Sequence, residues 1–387
     1  MKQPTGKISL SFSVALLMFP QIIETMYSPA LTSIKSHFGV SASTAAQALS
    51  VFFMAFAIGV IVWGRLCDIA GRRSAMLGGL SIFTIGACCA LLVTSFDGLL
   101  GAFALCAFGA AVGSVCTQTM IRDSYRGKAL SHVFSVASSS IGISPVVGLL
   151  LGSWLAAQGG YLWVFAVMAL LAFMLYIWSF ISLPETKPAH LKKDSLLSIA
   201  VKMCADTNIW YTVAMIALFN IALFSYYNIA PFMFENMGLG VDYFGYTGFV
   251  LAFGSIAGAF INRVLHTKSL SGETIVSGAT LLLVIGALSV AALQSTPWFY
   301  LPMAMVSLAF GLAIPHIMGN ALMDYGEHLG SAGALLGALY YLLIGAGLHF
   351  FSHKGDLGET LLVCSLLAML LVCVKTLKAR FLIKAEP

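Results

Sequence analysis

Val164-Phe165-Ala166-Val167-Met168-Ala169-Leu170-Leu171-Ala172-Phe173-Met174-Leu175 is apolar on every face. A strand of a membrane barrel alternates apolar and polar residues over about ten positions. This stretch does not alternate, which argues against the barrel. A helix that is apolar all round must lie in lipid or in the middle of a large core. The rest of the chain decides between the two: 59% of its residues are hydrophobic and only 9% are charged. A soluble domain carries about 25% charged residues. Too few charges are present to cover a water-facing surface, so the surface faces lipid.

A helix needs roughly 20 apolar residues to cross the hydrocarbon core, and the sequence offers about twelve such stretches. They run from Leu10 to Leu31, Thr44 to Arg65, Ala75 to Val93, Leu99 to Ile121, Ser131 to Leu155 and Leu162 to Leu183. After a break they continue from Trp210 to Phe232, Tyr243 to Leu265, Thr274 to Leu293, Phe299 to Met323, Ser331 to Phe351 and Leu357 to Leu377. The expected fold is an all-α membrane protein of twelve transmembrane helices in two pseudo-symmetric six-helix bundles. Its parts are an N-terminal bundle (1–183), a central cytoplasmic loop (184–208) and a C-terminal bundle (209–387). A short amphipathic surface helix is expected from Ser195 to Cys204. Internal duplication is faint: Ala55-Phe56 is echoed by Ala252-Phe253, and Arg65 by Arg263.

The formal charge of +5 does not point to nucleic acid, because the basic residues fall in alternate loops. Lys2 and Lys7 precede the first span; Arg65, Arg72 and Arg73 follow the second; Arg122, Arg126 and Lys128 follow the fourth. Lys187, Lys192, Lys193 and Lys202 fill the break, Arg263 and Lys268 follow the eighth, and Lys375, Lys378, Arg380 and Lys384 form the tail. Only Lys35 and Lys354 fall in the other set. The positive-inside rule makes the rich set, and both termini, cytoplasmic in a bacterial inner membrane. All six Trp residues sit near span ends, as an interfacial belt requires. The eight Cys show no Cys-x-x-Cys spacing, and the first apolar segment is too long for a cleavable leader. No phosphate-binding, metalloprotease or nucleophile-elbow motif occurs, so no cofactor, no metal and no enzymatic activity are expected. Nothing calls for more than a monomer.

Glu24 is the most informative residue. At about 1.5 Å per residue it lies roughly 21 Å into the first span, beyond the midplane. A carboxylate there is a functional candidate by default. One that can hold either a proton or a cationic substrate makes the two compete, which is a direct way to build an antiporter. His316 in the tenth span is the second candidate for proton coupling, since histidine titrates near neutral pH. Candidate substrate contacts are Gln21, Glu24, Tyr27, Gln118, Asn220, Tyr227, Asn228, Asn320, Tyr340 and Tyr341. Together with Phe224 they would suit a bulky, partly apolar and cationic ligand. Each of these residues has a plainer reading as a helix–helix hydrogen-bonding or packing group.

Gly64-Arg65-Leu66-Cys67-Asp68-Ile69-Ala70-Gly71-Arg72-Arg73 joins the second and third spans. Its glycines permit a tight turn, Asp68 suits a helix cap or an arginine partner, and the arginines anchor an interface. This pattern resembles the signature loop of the major facilitator superfamily. That resemblance implies a conformational latch built from Gly64, Asp68, Gly71, Arg72 and Arg73, with Asp68 meeting the start of the eleventh span near Ser331. More of the chain resembles the drug/proton antiporters of the bicyclomycin and chloramphenicol resistance type. The likeness rests on Met26-Tyr27-Ser28-Pro29-Ala30-Leu31, Arg122-Asp123, Gly142-Ile143-Ser144-Pro145-Val146-Val147-Gly148, Leu183-Pro184-Glu185-Thr186 and Ala334-Leu335-Leu336-Gly337. It implies gating roles for Arg122, Asp123, Gly142, Pro145 and Gly148. The chain departs from the pattern in the fourth span, where Phe103 and Gln118 stand in the region of the usual Arg. It departs again in the first, which has Glu24-Thr25 instead of Asp.

The expected function is therefore proton-coupled export of small molecules, drugs or endogenous products such as siderophores, by alternating access. The expected partners are substrate, protons and membrane lipid. A facilitator or uptake carrier of the same fold is the alternative, and a non-transporting sensor or a membrane enzyme comes after it.

Overall fold

The computed structural model describes residues 7–188, 196–267 and 270–385. Lys2, Lys192, Lys193 and Lys268 of the basic set lie outside these residues, as does Ser195 at the start of the expected surface helix. No strand occurs among the described residues. Eleven helices are long and apolar enough to cross a membrane. One of them, Gly127–Ser182, is 56 residues long and breaks at Gly159 (φ −154°, ψ 24°) and Gly160 (φ 63°, ψ −154°). It is two antiparallel spans, residues 127–158 and 161–182, and the total becomes twelve. Gly160 occupies the left-handed region that favours glycine, so the Gly-Gly pair is what turns the chain back.

The remaining spans are Leu10–Phe38, Ala42–Ala70, Arg72–Ala90 and Phe96–Ser124 in the first bundle. In the second they are Thr207–Asn236, Val241–Leu265, Gly272–Leu293, Pro297–Tyr325, Gly330–Ser352 and Leu357–Lys378. Several begin at caps that the sequence supplies. Ser9, Ser41, Ser95 and Ser271 accept the amides of Phe12, Thr44, Gly98 and Thr274, which satisfies helix N–H groups that have no partner within the helix. The first span is interrupted: Leu10–Met26 passes through a 3₁₀ turn, Ser28–Ala30, into Leu31–Phe38. Pro29 removes a backbone donor there, and the tighter turn replaces the missing α-helical bond. In the break between the bundles, Leu196–Ala205 is helical, and its Ile199 and Met203 pack on Tyr325, Ala332 and Leu336.

Small residues set the closest approaches, as in membrane bundles generally. A Cβ on Gly148 would lie 2.4 Å from the Ile22 carbonyl oxygen, and one on Gly152 would lie 2.3 Å from that of Met26, so the fifth span presses backbone on backbone against the first. Two pairs of spans approach most closely across the bundles. The eleventh meets the second where Gly345 faces the Ser50 carbonyl, and the eighth meets the fifth where Gly245 faces Ser153. Of the glycines expected to gate, Gly148 is thus a packing contact, whereas a Cβ on Gly142 would meet nothing within 4 Å.

Candidate functional site between the bundles

Glu24 is the centre of the site. It is 4% exposed, and its Oε1 has no hydrogen-bond partner among the described residues. Tyr227 of the seventh span and Tyr340 and Tyr341 of the eleventh lie within electrostatic reach of it. The carboxylate therefore sits where the two bundles meet. The Tyr27 hydroxyl and Asn228 Oδ1 are likewise buried with no hydrogen-bond partner among the described residues. No Lys or Arg among the described residues pairs with Glu24. A carboxylate buried in this way is expensive unless it takes a proton or meets a cation.

Aromatic rings wall the site. Phe53 of the second span packs on Phe224 of the seventh (4.9 Å between centroids) and Phe56 on Tyr341 (4.8 Å), so rings from both bundles interlock. Tyr340 and Tyr341 are 4.5 Å apart. Tyr27 stacks on Phe103 at 4.0 Å with the planes tilted by 22°. Phe103, one of the two residues found where an Arg was sought, is a fully buried ring that holds Tyr27 in place. Sequence reasoning singled out Phe224 but missed Phe53 and Phe56. In an apolar span they carry no mark, and only the crossing of the second span with the seventh and eleventh gives them a role.

Some predicted contacts are not brought to this cluster. The Asn220 amide donates to the Ile216 carbonyl of its own helix at 2.7 Å. Gln21 and Gln118 are half-buried, with no side-chain hydrogen bond among the described residues. His316 is placed elsewhere, near the end of the tenth span. There its Nε2 is 2.5 Å from Asn262 Oδ1, and Gly272, which opens the ninth span, lies against His316 and Asn320. His316 and Asn320 line a cavity of ≈280 Å³ together with Asp206, Tyr211, Glu273 and Lys375. The tenth span enters from the opposite face at Pro297, so its twentieth residue, His316, is near the exit. Glu24 and His316 are not neighbours, and a direct relay between them is not built.

The glycine–arginine loop is organised around Arg72. Its side chain is 2% exposed, with Nε 2.9 Å from Asp123 Oδ2, and a terminal nitrogen 3.2 Å from Asp68 and 2.9 Å from the Cys67 carbonyl. Thr186 Oγ1 also donates to Asp123 Oδ2. Glu185, at the end of the sixth span, caps the third: Oε1 accepts the Arg72 amide at 2.9 Å and Oε2 the Arg73 amide at 3.2 Å. Gly71 makes room for this. Its φ is 99°, and a Cβ there would lie 2.4 Å from Glu185 Oε2. Asp68 therefore pairs with Arg72 within its own bundle. Gly64, one turn earlier, faces Ala334 of the eleventh span. Arg122 lies over the Phe134 ring at 5.7 Å, tying the fourth span to the fifth. Pro145 is an interior residue of the fifth span.

On the opposite face the bundles are joined directly. Lys35 Nζ is 2.6 Å from Glu235 Oε2, and Ser28 Oγ donates to the Tyr227 carbonyl. Lys35 and Lys354, the two basic residues outside the rich set, each hold an ion pair, with Glu235 and Glu359 respectively.

Residues 12–348 match the family model of the Major Facilitator Superfamily. An uncharacterized transporter of Rickettsia felis is 28% identical over 94% of each chain. A chloramphenicol resistance protein of Pseudomonas aeruginosa is 27% identical, covering 89% of this chain and 84% of its own. Among solved structures, a bacterial homologue of the human lysosomal transporter Spinster superposes with a TM-score of 0.71 over 96% of each chain at 15% identity, a likeness of fold.

Proposed function

The chain belongs to the major facilitator superfamily, and we propose that this transporter exports small, partly apolar molecules, cations among them, in exchange for protons. The observation that carries the reading is Glu24: an acid buried at the meeting of two bundles, with an unpartnered oxygen and aromatic faces around it. An ion that only held helices together would be expected to have its partner beside it, as Arg72 has. A carboxylate without one is suited to bind a proton and a cationic substrate in turn. When the substrate's ammonium arrives the proton leaves, and the ring faces of Tyr227, Tyr340 and Tyr341 favour the positive charge. Resistance proteins among the relatives support a drug-like substrate range, as the name of the Pseudomonas aeruginosa relative says of that protein.

In this reading the face bearing the basic loops is cytoplasmic. The Arg72 cluster keeps the second, third, fourth and sixth spans together as one rigid body. The Lys35–Glu235 pair closes the outer side and must part for release.

The test uses everted membrane vesicles acidified inside, with a pH-sensitive dye and ethidium or chloramphenicol as the added substrate. Export by antiport releases protons on addition. Counterflow of labelled substrate with no proton release, at any imposed gradient, would make the protein a facilitator and remove the proposal.

A further inference from the structure

The eighth and tenth spans touch backbone to backbone in mid-membrane and part toward the basic face. A Cβ on Gly254 would lie 2.3 Å from the Ala304 carbonyl oxygen, and one on Gly258 would lie 2.5 Å from that of Leu308. Below that level the contact opens into a cavity of ≈370 Å³ lined by Ala259, Asn262, Arg263, Pro315, His316, Gly319 and Asn320. Small residues make its floor and four polar side chains surround it.

Arg263 stands exposed at its rim and has no ion-pair partner among the described residues. When the His316 Nε2–H donates to Asn262 Oδ1, the Asn262 amide NH₂ keeps its capacity to donate to another group. The donor set is a guanidinium with two carboxamides, the chemistry that holds a phosphate. The carboxylates of Asp206, Glu273 and Asp324 line the neighbouring cavity, on the other side of the wall that His316 and Asn320 form, and Glu273 already has Lys375 at 3.4 Å.

Position decides what carries that phosphate. Phe249, Phe253, Ile256 and Phe260 form one exposed apolar stripe of the eighth span, and Arg263 continues it at helical spacing. Four large apolar side chains, each more than half exposed, lead along one membrane span to a basic residue. A basic, polar wedge at the interface, ending an apolar stripe, has the form of a seat for a phospholipid with its chains along the rings.

We propose that the wedge between the eighth and tenth spans binds the phosphate of an anionic phospholipid, with Arg263 as the main charge.

Native mass spectrometry of the full chain tests this, using micelles doped with phosphatidylglycerol or phosphatidylcholine. Wild type should retain phosphatidylglycerol in preference. Arg263→Gln should lose retention by about fivefold, while Lys378→Gln, a basic residue elsewhere on the same face, should retain it as wild type does. Equal retention of the two lipids by wild type, or an Arg263→Gln protein as retentive as wild type, overturns the proposal. So does equal loss in Lys378→Gln, which would reduce the effect to general surface charge. Millimolar inorganic phosphate provides the last arm: displacement of phosphatidylglycerol by it would make this a site for a soluble anion and overturn the lipid assignment. Circular dichroism of Arg263→Gln, with an exposed side chain changed, should match wild type.

Discussion

Among the described residues charge is buried twice, and the two places could hardly differ more. At the basic face Arg72 is enclosed, yet Asp123, Asp68 and the Cys67 carbonyl answer its donors, while Glu185 answers the amide ends of the same helix. Midway between the bundles Glu24 is enclosed to a similar degree and keeps an oxygen without a partner. A buried charge with partners is costly to break but does nothing when left alone. A buried charge without one is poised to gain or lose a proton, or to meet a ligand. In the proposed reading the first arrangement makes a rigid body and the second makes a site. The comparison predicts that mutations at the two places fail in opposite ways.

The largest effect on stability belongs to Arg72→Ala. It strands Asp123 in a half-buried position and should cost about 3–5 kcal/mol, read as a lowered midpoint in mixed-micelle unfolding and poor recovery of folded protein. A wild-type midpoint in that variant would mean that the cluster is not a structural unit. Gly71→Ala comes next, at about 1–3 kcal/mol, since it forces a side chain into φ 99° and against Glu185. Because the clash and the cap involve the same carboxylate, Gly71→Ala and Glu185→Ala should not add in a double-mutant cycle. Additive losses would separate the turn from the cap. Lys35→Ala is the smallest, below about 1 kcal/mol, because the Lys35 and Glu235 side chains are partly exposed at 27% and 37%. Its effect should appear instead in conformation, as faster labelling of a cysteine placed beside Glu235 from the outer side. Unchanged labelling would take that pair out of the closing of the outer face.

Much of this was legible in the chain. Hydropathy and the alternation of Lys and Arg placed the spans, and a lone carboxylate in an apolar helix stood out by its cost alone. Glu185 could be tied to the Leu183-Pro184-Glu185-Thr186 stretch, but not to Gly71. The two are more than a hundred positions apart, and only the packing of the sixth span beside the third brings them together. The interruption at Ser28–Ala30 had its signal in Pro29, although a proline in a membrane helix can equally be absorbed as a kink. His316 was a coupling candidate because histidine titrates near neutral pH; counting from the start of its span puts it near the basic face, where the structure has it. The aromatic wall had no sequence signature, since a phenylalanine facing a substrate and one facing lipid read alike.

The most direct test of the central claim compares wild type with Glu24→Gln in acidified everted vesicles, at matched amounts of folded protein, with substrate counterflow measured alongside proton release. The account predicts that Glu24→Gln unfolds at the wild-type midpoint or above it, since a neutral amide is cheaper to bury than an unpartnered carboxylate, and releases no protons when substrate is added. Proton release by Glu24→Gln at the wild-type rate would contradict it and place coupling in another group.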